Sequence, residues 1–196
     1  VERGWPGPLT LEEHSHAGMA AAYAAGASGL PFGTLRGYAG THLPQHTPHV
    51  AFVECPFTGE RLAAVKALRP DVAIVHAQKA DRAGNVLVWG LVGVQKEAVL
   101  AARRSIVTVE EIVDALGAPP NAVILPSWVV SAVCPVPGGA FPSYAAGYYV
   151  RNNAFYEAWD TVARARDTFT AWIAQHVVNP ADADAFRRSL AEPADA

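Results

Sequence analysis

The chain has 196 residues, of which 51% are hydrophobic and 17% are charged, and its formal net charge is −3. This is the composition of a folded globular protein, and the length suits one α/β domain with a sizeable core. The charges form no basic block, and the sequence has neither a signal segment nor about 18 consecutive apolar residues. Composition therefore argues against nucleic acid or a membrane as partner, and we expect a cytoplasmic protein.

The first predicted element is a helix that follows a start rich in glycine and proline. The chain begins with Val1 rather than Met, and the glycines and prolines at positions 4–8 are typical of the interior of a longer protein. Thr10 and Glu13 then have the spacing of a capping box, in which the threonine hydroxyl accepts a hydrogen bond from the Glu13 amide. We predict a helix from this box to about Ser28, and its many alanines and glycines permit close approach of another backbone.

Beyond this helix, predicted strands and helices alternate along the chain. Strands are predicted at residues 50–53, 72–77, 86–89, 105–109, 122–125 and 129–136, and helices at residues 60–68, 95–102, 110–116 and 152–177. The run at 72–77 is apolar without alternation, as expected for a strand buried on both faces. The pattern predicts an α/β fold with a mostly parallel sheet and helices on both faces. We expect a single domain over residues 1–178 and a C-terminal tail over residues 179–196.

Three histidines, His42, His46 and His49, have the spacing of metal ligands. They lie in a proline-rich segment without a carboxylate or a cysteine in register, so we interpret them as polar loop residues and predict no metal site. The common fingerprints of nucleotide-binding, α/β-hydrolase and zinc-protease sites are missing from the sequence. General motif searches therefore do not name a reaction.

A histidine and a tight turn follow the predicted strand at 72–77. His76 lies at the carboxyl end of this strand, where ligands bind in parallel α/β sheets. Asp81, Gly84 and Asn85 come next, and these residue types also build ordinary turns. We assign Asp81, Gly84 and Asn85 to a structural turn and retain His76 as a candidate for substrate binding.

Two glycine-containing loops offer further candidates for binding. In the first, Gly40 and Thr41 follow Arg36, whose planar guanidinium suits a carboxylate or a phosphate. In the second, Gly138 and Gly139 turn the chain sharply ahead of an aromatic and a hydroxyl side chain. Either loop could also be an ordinary connection, and neither names a reaction by itself.

Glu13 has two interpretations at this stage. It completes the capping box, or its carboxylate, beside a helix of small residues, serves as a nucleophile or general base in a cleft. The residues alone leave both interpretations open.

Taken together, several segments resemble the A subunit of family I coenzyme A transferases, close to the glutaconate CoA-transferase branch. The similarity runs from about Leu9 to Val178 and is carried by residues 25–32, 69–85, 136–144 and 152–160. Its most specific element is the sequence Ala-Asp-x-x-Gly-Asn at 80–85, directly after the apolar strand. The family's N-terminal strand and Gly-rich loop are missing, and the only Glu-x-Gly, at positions 2–4, has no strand beside it.

The resemblance implies an enzyme that moves coenzyme A from an acyl-CoA to a small carboxylate through a glutamate on a B-type subunit. It implies a CoA thioester as substrate, no bound cofactor and a hetero-oligomer. The A subunit of such an enzyme contributes pocket walls and oxyanion-side amides, for which the candidates are Arg36, Gly40, Thr41, His76, Gly138 and Gly139. Two alternatives stay open: a subunit of a CoA-thioester or ring-cleaving hydrolase with Glu13 as catalytic carboxylate, and a non-catalytic assembly domain.

Overall fold

The computed structural model describes residues 10–191. The Gly/Pro-rich start, the Glu-x-Gly at positions 2–4 and the last five residues of the predicted tail lie outside the described residues. The chain divides into two compact units. Unit 1 contains residues up to Ala73 together with Gly93–Arg104, and unit 2 contains Ile74–Val92 and the residues from Ser105 onward. None of the helices within residues 10–191 is long and apolar enough to cross a membrane.

Unit 1 combines three helices with a small antiparallel sheet. Its elements are α1 (His16–Ala27), β1 (Phe32–Leu35), α2 (Leu43–His46), β2 (Val50–Glu54), β3 (Arg61–Lys66) and α3 (Gln95–Ala101). The strand order is β1-β3-β2, and both pairings are antiparallel. Buried residues from α1, β2 and β3 form its core together with Tyr38.

Helix α1 uses its small residues for close backbone approach, as its composition predicts. A Cβ atom on Gly26 would lie 1.9 Å from the carbonyl oxygen of Leu68, so only glycine fits there. The backbone N–H of Leu68 also donates to the carbonyl of Ala22 in the same helix, at 3.0 Å. The alanine and glycine face therefore brings the helix within hydrogen-bonding distance of the neighbouring chain segment.

The predicted start of α1 is wrong. The helix begins at His16, and its N-cap is Ser15, whose hydroxyl accepts a hydrogen bond from the amide of Gly18 at 3.0 Å. Thr10 and Glu13 precede the helix, so they form no capping box. The Glu13 carbonyl instead accepts from the Thr47 hydroxyl at 3.0 Å, a tertiary contact that the local spacing does not reveal.

The helix predicted at 60–68 is also wrong, because this segment is the central strand β3. Ala63 and Val65 of β3 are almost completely buried. On one side Ala64 is the register partner of Thr34 in β1, and on the other it is the partner of Ala51 in β2. Pairing on both sides outweighs the helical propensity of a short alanine- and leucine-containing segment.

Unit 2 is built on a five-stranded sheet. Its strands are β4 (Val72–Asp81), β5 (Val86–Val88), β6 (Arg104–Val113), β7 (Val123–Leu125) and β8 (Ala132–Pro135), in the order β7-β5-β4-β6-β8. The first residues of β4 and β6 fall in unit 1. The pairs β4/β5 and β5/β7 are antiparallel, and β6/β8 is parallel. The α/β class is confirmed, but the expected mostly parallel sheet is corrected to a mixed one, because the short turn after β4 makes β5 antiparallel to it and β7 pairs antiparallel with β5.

Strands β4 and β6 are longer than the sequence predicts, and β4 is also less buried. The helix expected at 110–116 is wrong, because β6 continues to Val113. The strand at 72–77 is not buried on both faces, since the side chains of Val72 and Ile74 are exposed. Alternation places Ile74 on the same face of β4 as His76.

The C-terminal part of unit 2 is helical. The predicted helix at 152–177 is divided into α4 (Asn153–Ala163), α5 (Arg166–Ile173) and a π-helical turn (Ala174–Val178), and α6 (Ala183–Ala191) follows. The aromatic stripe is retained across the break, because Trp159 of α4 makes edge contacts with Phe169 and Trp172 of α5. A kinked chain thus packs the stripe against itself, and a straight helix could not do this.

Candidate functional site

A buried carboxylate organises the polar centre of unit 2. Glu110 lies on β6, and only 4% of its side chain is exposed. One carboxylate oxygen accepts hydrogen bonds from His76 Nε2 at 2.6 Å and from the Tyr149 hydroxyl at 2.8 Å. The other accepts from the backbone amide of Gly138 at 2.7 Å. Three donors from three separate segments therefore replace the water that the carboxylate loses on burial.

His76 is held at both ring nitrogens. Nε2 faces Glu110, and Nδ1 lies 2.8 Å from the hydroxyl oxygen of Thr108, the neighbour of His76 on β6. Because a carboxylate only accepts, Nε2 carries a proton, and in the neutral ring the Thr108 hydroxyl donates to Nδ1. Neither nitrogen is left for a ligand, so His76 presents ring carbons to any molecule bound beside it.

The Gly138–Gly139 loop is closed by its own hydrogen bonds. Its four successive amides all have acceptors: Gly138 donates to Glu110, Gly139 to the Val136 carbonyl, Ala140 to the Tyr149 hydroxyl and Phe141 to the Gly138 carbonyl. The loop thus offers no free amide in this conformation. It can form the wall of a binding site but cannot stabilise an oxyanion without rearranging.

Glycine is required at position 139 by a close approach. A Cβ atom there would lie 2.8 Å from His76 Nδ1 and 2.9 Å from the carbonyl oxygen of Val136. At position 138 the same atom would overlap the Arg187 side chain, and the backbone has a φ of +76°. The two glycines let the loop pack directly on the imidazole and on α6.

A cavity of about 510 Å³ adjoins this loop. It is lined by Gly138, Phe141, Tyr149, Asp184, Arg187 and Arg188. The Arg187 guanidinium donates to the Pro137 carbonyl and pairs with Asp184. Burial and the hydrogen bond to Glu110 raise the pKa of Tyr149 to about 12, so its hydroxyl remains a donor at neutral pH. The cavity therefore joins apolar walls to a charged side, where Arg187 is paired with Asp184 and Arg188 adds a second guanidinium suited to a carboxylate.

The turn after β4 is built by three of the predicted residues. The Asp81 carboxylate accepts from the backbone and side-chain amides of Asn85, at 2.9 and 2.8 Å. Gly84 has a φ of +85°, and the Asn85 side-chain oxygen accepts from the amide of Ser127. The hydrogen bond from the Asn85 side chain holds the pKa of Asp81 below its usual value. The turn thus uses its polar groups to anchor the segment after β7.

The candidates in unit 1 lie in a second, separate set of contacts. Arg36 forms a two-pronged ion pair with Glu60, at 2.6 and 2.9 Å, on the exposed surface. Gly40 has a φ of +75°, and the hydroxyl and amide of Thr41 both donate to the Tyr38 carbonyl. The guanidinium fork is thus already occupied, and Gly40 and Thr41 shape a local turn.

Glu12, rather than Glu13, is the carboxylate that contacts histidines. Its two oxygens lie 2.8 Å from His14 Nε2 and 2.6 Å from His49 Nδ1. Partial burial opposes ionisation, but the hydrogen bonds from His49 and His14 outweigh it and lower the pKa of Glu12. Within residues 10–191 no group of three or more His, Cys, Asp or Glu side chains is arranged to hold a metal ion.

The structure therefore brings His76, Gly138 and Gly139 together and places Arg36, Gly40, Thr41 and Glu13 in the other unit. Sequence analysis missed Glu110, Tyr149 and Thr108, the residues that join the first group. The alternation of β6 places Thr108 and Glu110 on one face, but the predicted helix at 110–116 hid this signal. Nothing local to Tyr149 indicates that it pairs with a residue 39 positions away.

The chain is similar in sequence to coenzyme A transferases and to a related hydrolase. A coenzyme A transferase family model matches residues 3–135. The chain is 62% identical over 192 residues to the A subunit of 3-oxoadipate CoA-transferase from Pseudomonas knackmussii, covering 98% of this chain and 68% of that protein. It is 31% identical over 159 residues to the cholesterol ring-cleaving hydrolase IpdA subunit of Mycobacterium tuberculosis, covering 76% of this chain and 53% of that protein.

A solved structure has the same fold. The crystal structure of glutaconate coenzyme A-transferase from Acidaminococcus fermentans superposes with a TM-score of 0.81 at 30% identity, covering 93% of this chain and 63% of that chain. The chain thus spans roughly two thirds of the length of these two transferase relatives.

Proposed function

The chain belongs to the coenzyme A transferase family, as one of its A subunits, and we propose that it works in transfer of CoA from an acyl-CoA to a carboxylate. The observation that supports this most is the 62% identity to the A subunit of a 3-oxoadipate CoA-transferase, which extends over nearly the whole chain. In this proposal a B-type subunit carries the nucleophilic glutamate, and the two subunits form a hetero-oligomer in the cytoplasm. The CoA thioester is a substrate, and no further cofactor takes part.

Unit 2 provides the wall of the acyl site in this proposal. The Gly138–Gly139 loop and the ring of His76 form its surface, and Arg187 and Arg188 supply positive charge at the adjoining cavity. A dicarboxylic acyl group suits such a site, because one of its carboxyl groups reacts while the other can pair with an arginine side chain. We therefore propose 3-oxoadipate as the first acceptor to test and glutaconate as the second.

In unit 1, Gly40 and Thr41 hold the segment around Tyr38, and Arg36 is a candidate for the phosphates of CoA. Arg36 would have to exchange Glu60 for a phosphate, which is feasible because both side chains of the pair are exposed to solvent.

The test is CoA transfer by the chain assembled with its B-type subunit. We expect a new acyl-CoA to form when an acyl-CoA donor is mixed with 3-oxoadipate, as followed by mass spectrometry. Borohydride should reduce the glutamyl-CoA thioester on the B-type subunit to the corresponding alcohol and release CoA, which leaves a modified glutamate side chain and an inactive complex. Free CoA and acid without transfer, and no reduced glutamate, would contradict the transferase proposal.

A hydrolase is the second candidate, since the chain is also 31% identical to a ring-cleaving hydrolase subunit. In that case Glu13 is the catalytic carboxylate proposed from the sequence. Glu12 competes with it for this role, because Glu12 makes the contacts to His14 and His49. Hydrolysis of an acyl-CoA that depends on either carboxylate would support this candidate.

A further inference from the structure

We infer that Glu110 is a positioning residue that holds the acyl-site wall in place, so that acyl-CoA affinity depends on a carboxylate that does not face the ligand. The inference rests on the proposed function of unit 2. Glu110 has 4% of its side chain exposed and is covered by the segments that it binds. Its influence on a ligand therefore passes through Gly138, His76 and Tyr149.

The control that Glu110 exerts on the loop is both direct and indirect. It accepts the Gly138 amide itself, and it accepts the hydroxyl of Tyr149, which in turn accepts the Ala140 amide at 2.9 Å. Two of the four amides that close the loop are thus tied to one carboxylate. Gly138, Phe141 and Tyr149, all in or bound to this loop, line the cavity.

The charge of Glu110 is needed as well as its shape. Three donors converge on it, and a neutral amide has one oxygen and an NH₂ group that cannot accept. With His76 and Tyr149 in their present donor roles, a glutamine at this position would leave at least one buried donor facing another donor. Relief of that conflict requires these two groups to exchange donor and acceptor roles or the loop to move, and loop movement changes the cavity wall.

The neighbouring residues supply a matched control. Glu111 follows Glu110 on β6 and lies on the opposite face, where it bonds the hydroxyl of Tyr148 and pairs with Lys79. Glu111→Gln and Tyr148→Phe are therefore the same chemical changes one residue away. Neither residue contacts the Gly138–Gly139 loop in the described hydrogen bonds.

The experiment measures acyl-CoA affinity and turnover of the assembled complex, with the donor acyl-CoA of the transfer assay as the probe. We expect Glu110→Gln to raise KM and the directly measured Kd about tenfold while kcat changes less than about twofold. Tyr149→Phe should shift both constants in the same direction by less. Glu111→Gln and Tyr148→Phe should leave them unchanged.

A merely structural Glu110 would lower the active fraction, so kcat would fall with KM and Kd unchanged, and that result would overturn the inference. If Glu110→Gln does not assemble with the B-type subunit, Glu110→Asp and Tyr149→Phe replace it as the test variants. Unchanged acyl-CoA affinity in both of them would also overturn the inference. The direct Kd keeps the two proposals distinguishable. A parent complex that binds acyl-CoA without transferring CoA contradicts the proposed function, while a raised Kd in Glu110→Gln would still support the positioning role.

Discussion

Glu110 and Tyr149 are joined by a hydrogen bond of 2.8 Å, and the adjacent residues Glu111 and Tyr148 repeat the pairing on the other face of β6. Successive side chains of a strand point to opposite faces, so two adjacent glutamates receive two adjacent tyrosines from one returning segment. Burial, together with Glu111, raises the pKa of Tyr148, so both phenols remain protonated at neutral pH. The segment at 145–149 is thereby hydrogen-bonded to both faces of β6, and one of the two hydrogen bonds, from Tyr149 to Glu110, belongs to the candidate site.

The close approach at Gly139 makes a sharp prediction about stability. Gly139→Ala should lower the free energy of unfolding by about 1–3 kcal/mol, because the added methyl group meets both the His76 ring and a backbone carbonyl that cannot move independently. Gly117→Ala is the matched control, since nothing lies within 4 Å of a Cβ atom there. Chemical denaturation of both variants in the complex checks this. Equal stability of the two would contradict the described packing.

Gly84 tests the turn after β4. Gly84→Val should cost about 1–3 kcal/mol, because a β-branched residue tolerates a φ of +85° poorly. Ala83→Val changes the neighbouring turn position, which has no positive φ, and should be tolerated. Thermal unfolding of the two variants compares them directly. A Gly84→Val variant that melts with the parent would show that the turn does not need its glycine.

Substitution of Glu12 is predicted to lower stability in a pH-dependent way, unlike substitution of its neighbour Glu13. Glu12→Gln should destabilise the chain by less than about 1 kcal/mol near neutral pH, as expected for a partly exposed carboxylate that accepts two side-chain hydrogen bonds. The pKa of Glu12 is lower in the folded chain than in the unfolded chain, where it is about 4.3. The carboxylate therefore stabilises the fold above about pH 4.3, and this stabilisation is lost as the pH falls through the pKa of the folded state. The difference from the parent should therefore shrink in denaturation curves measured below about pH 4. A difference that persists in acid would exclude this origin.

Glu13→Gln separates the two candidate reactions. For a transferase we expect turnover close to that of the parent and stability within about 0.5 kcal/mol, because no cap is lost. For a hydrolase that uses Glu13, turnover should fall by orders of magnitude with an unchanged melting temperature. The assay is acyl-CoA consumption by the assembled complex, with transfer and hydrolysis products measured separately.

The exposed apolar face of β4 predicts how the chain behaves alone. Ile74 is 73% exposed and shares its face with His76, and Ile106 and Ile112 of β6 are also exposed. We expect the chain without its B-type subunit to self-associate in light scattering, and Ile74→Ser to reduce this. Val150→Ser, which changes an exposed residue outside the strands, is the control. A monodisperse parent monomer would contradict the prediction.

The amino-acid sequence by itself determined the features whose causes are local or shared across the family. The turn residues Asp81, Gly84 and Asn85 contact one another within five positions, so their residue types suffice to indicate a turn. Local patterns also predicted three further elements, which are the strands at 50–54 and 123–125 and the helix at 95–101. The family followed from matching segments, and the relatives confirmed it.

Only the tertiary structure decided the features that depend on distant partners. Residues 61–66 form a strand because β1 and β2 flank them, and Glu12 rather than Glu13 contacts a distant histidine because His49 lies beside it. Glu110 is bound by residues 28 to 39 positions away, and no short-range pattern encodes such a meeting. Burial of a carboxylate requires donors brought by several segments at once, so it becomes visible only when the chain is folded.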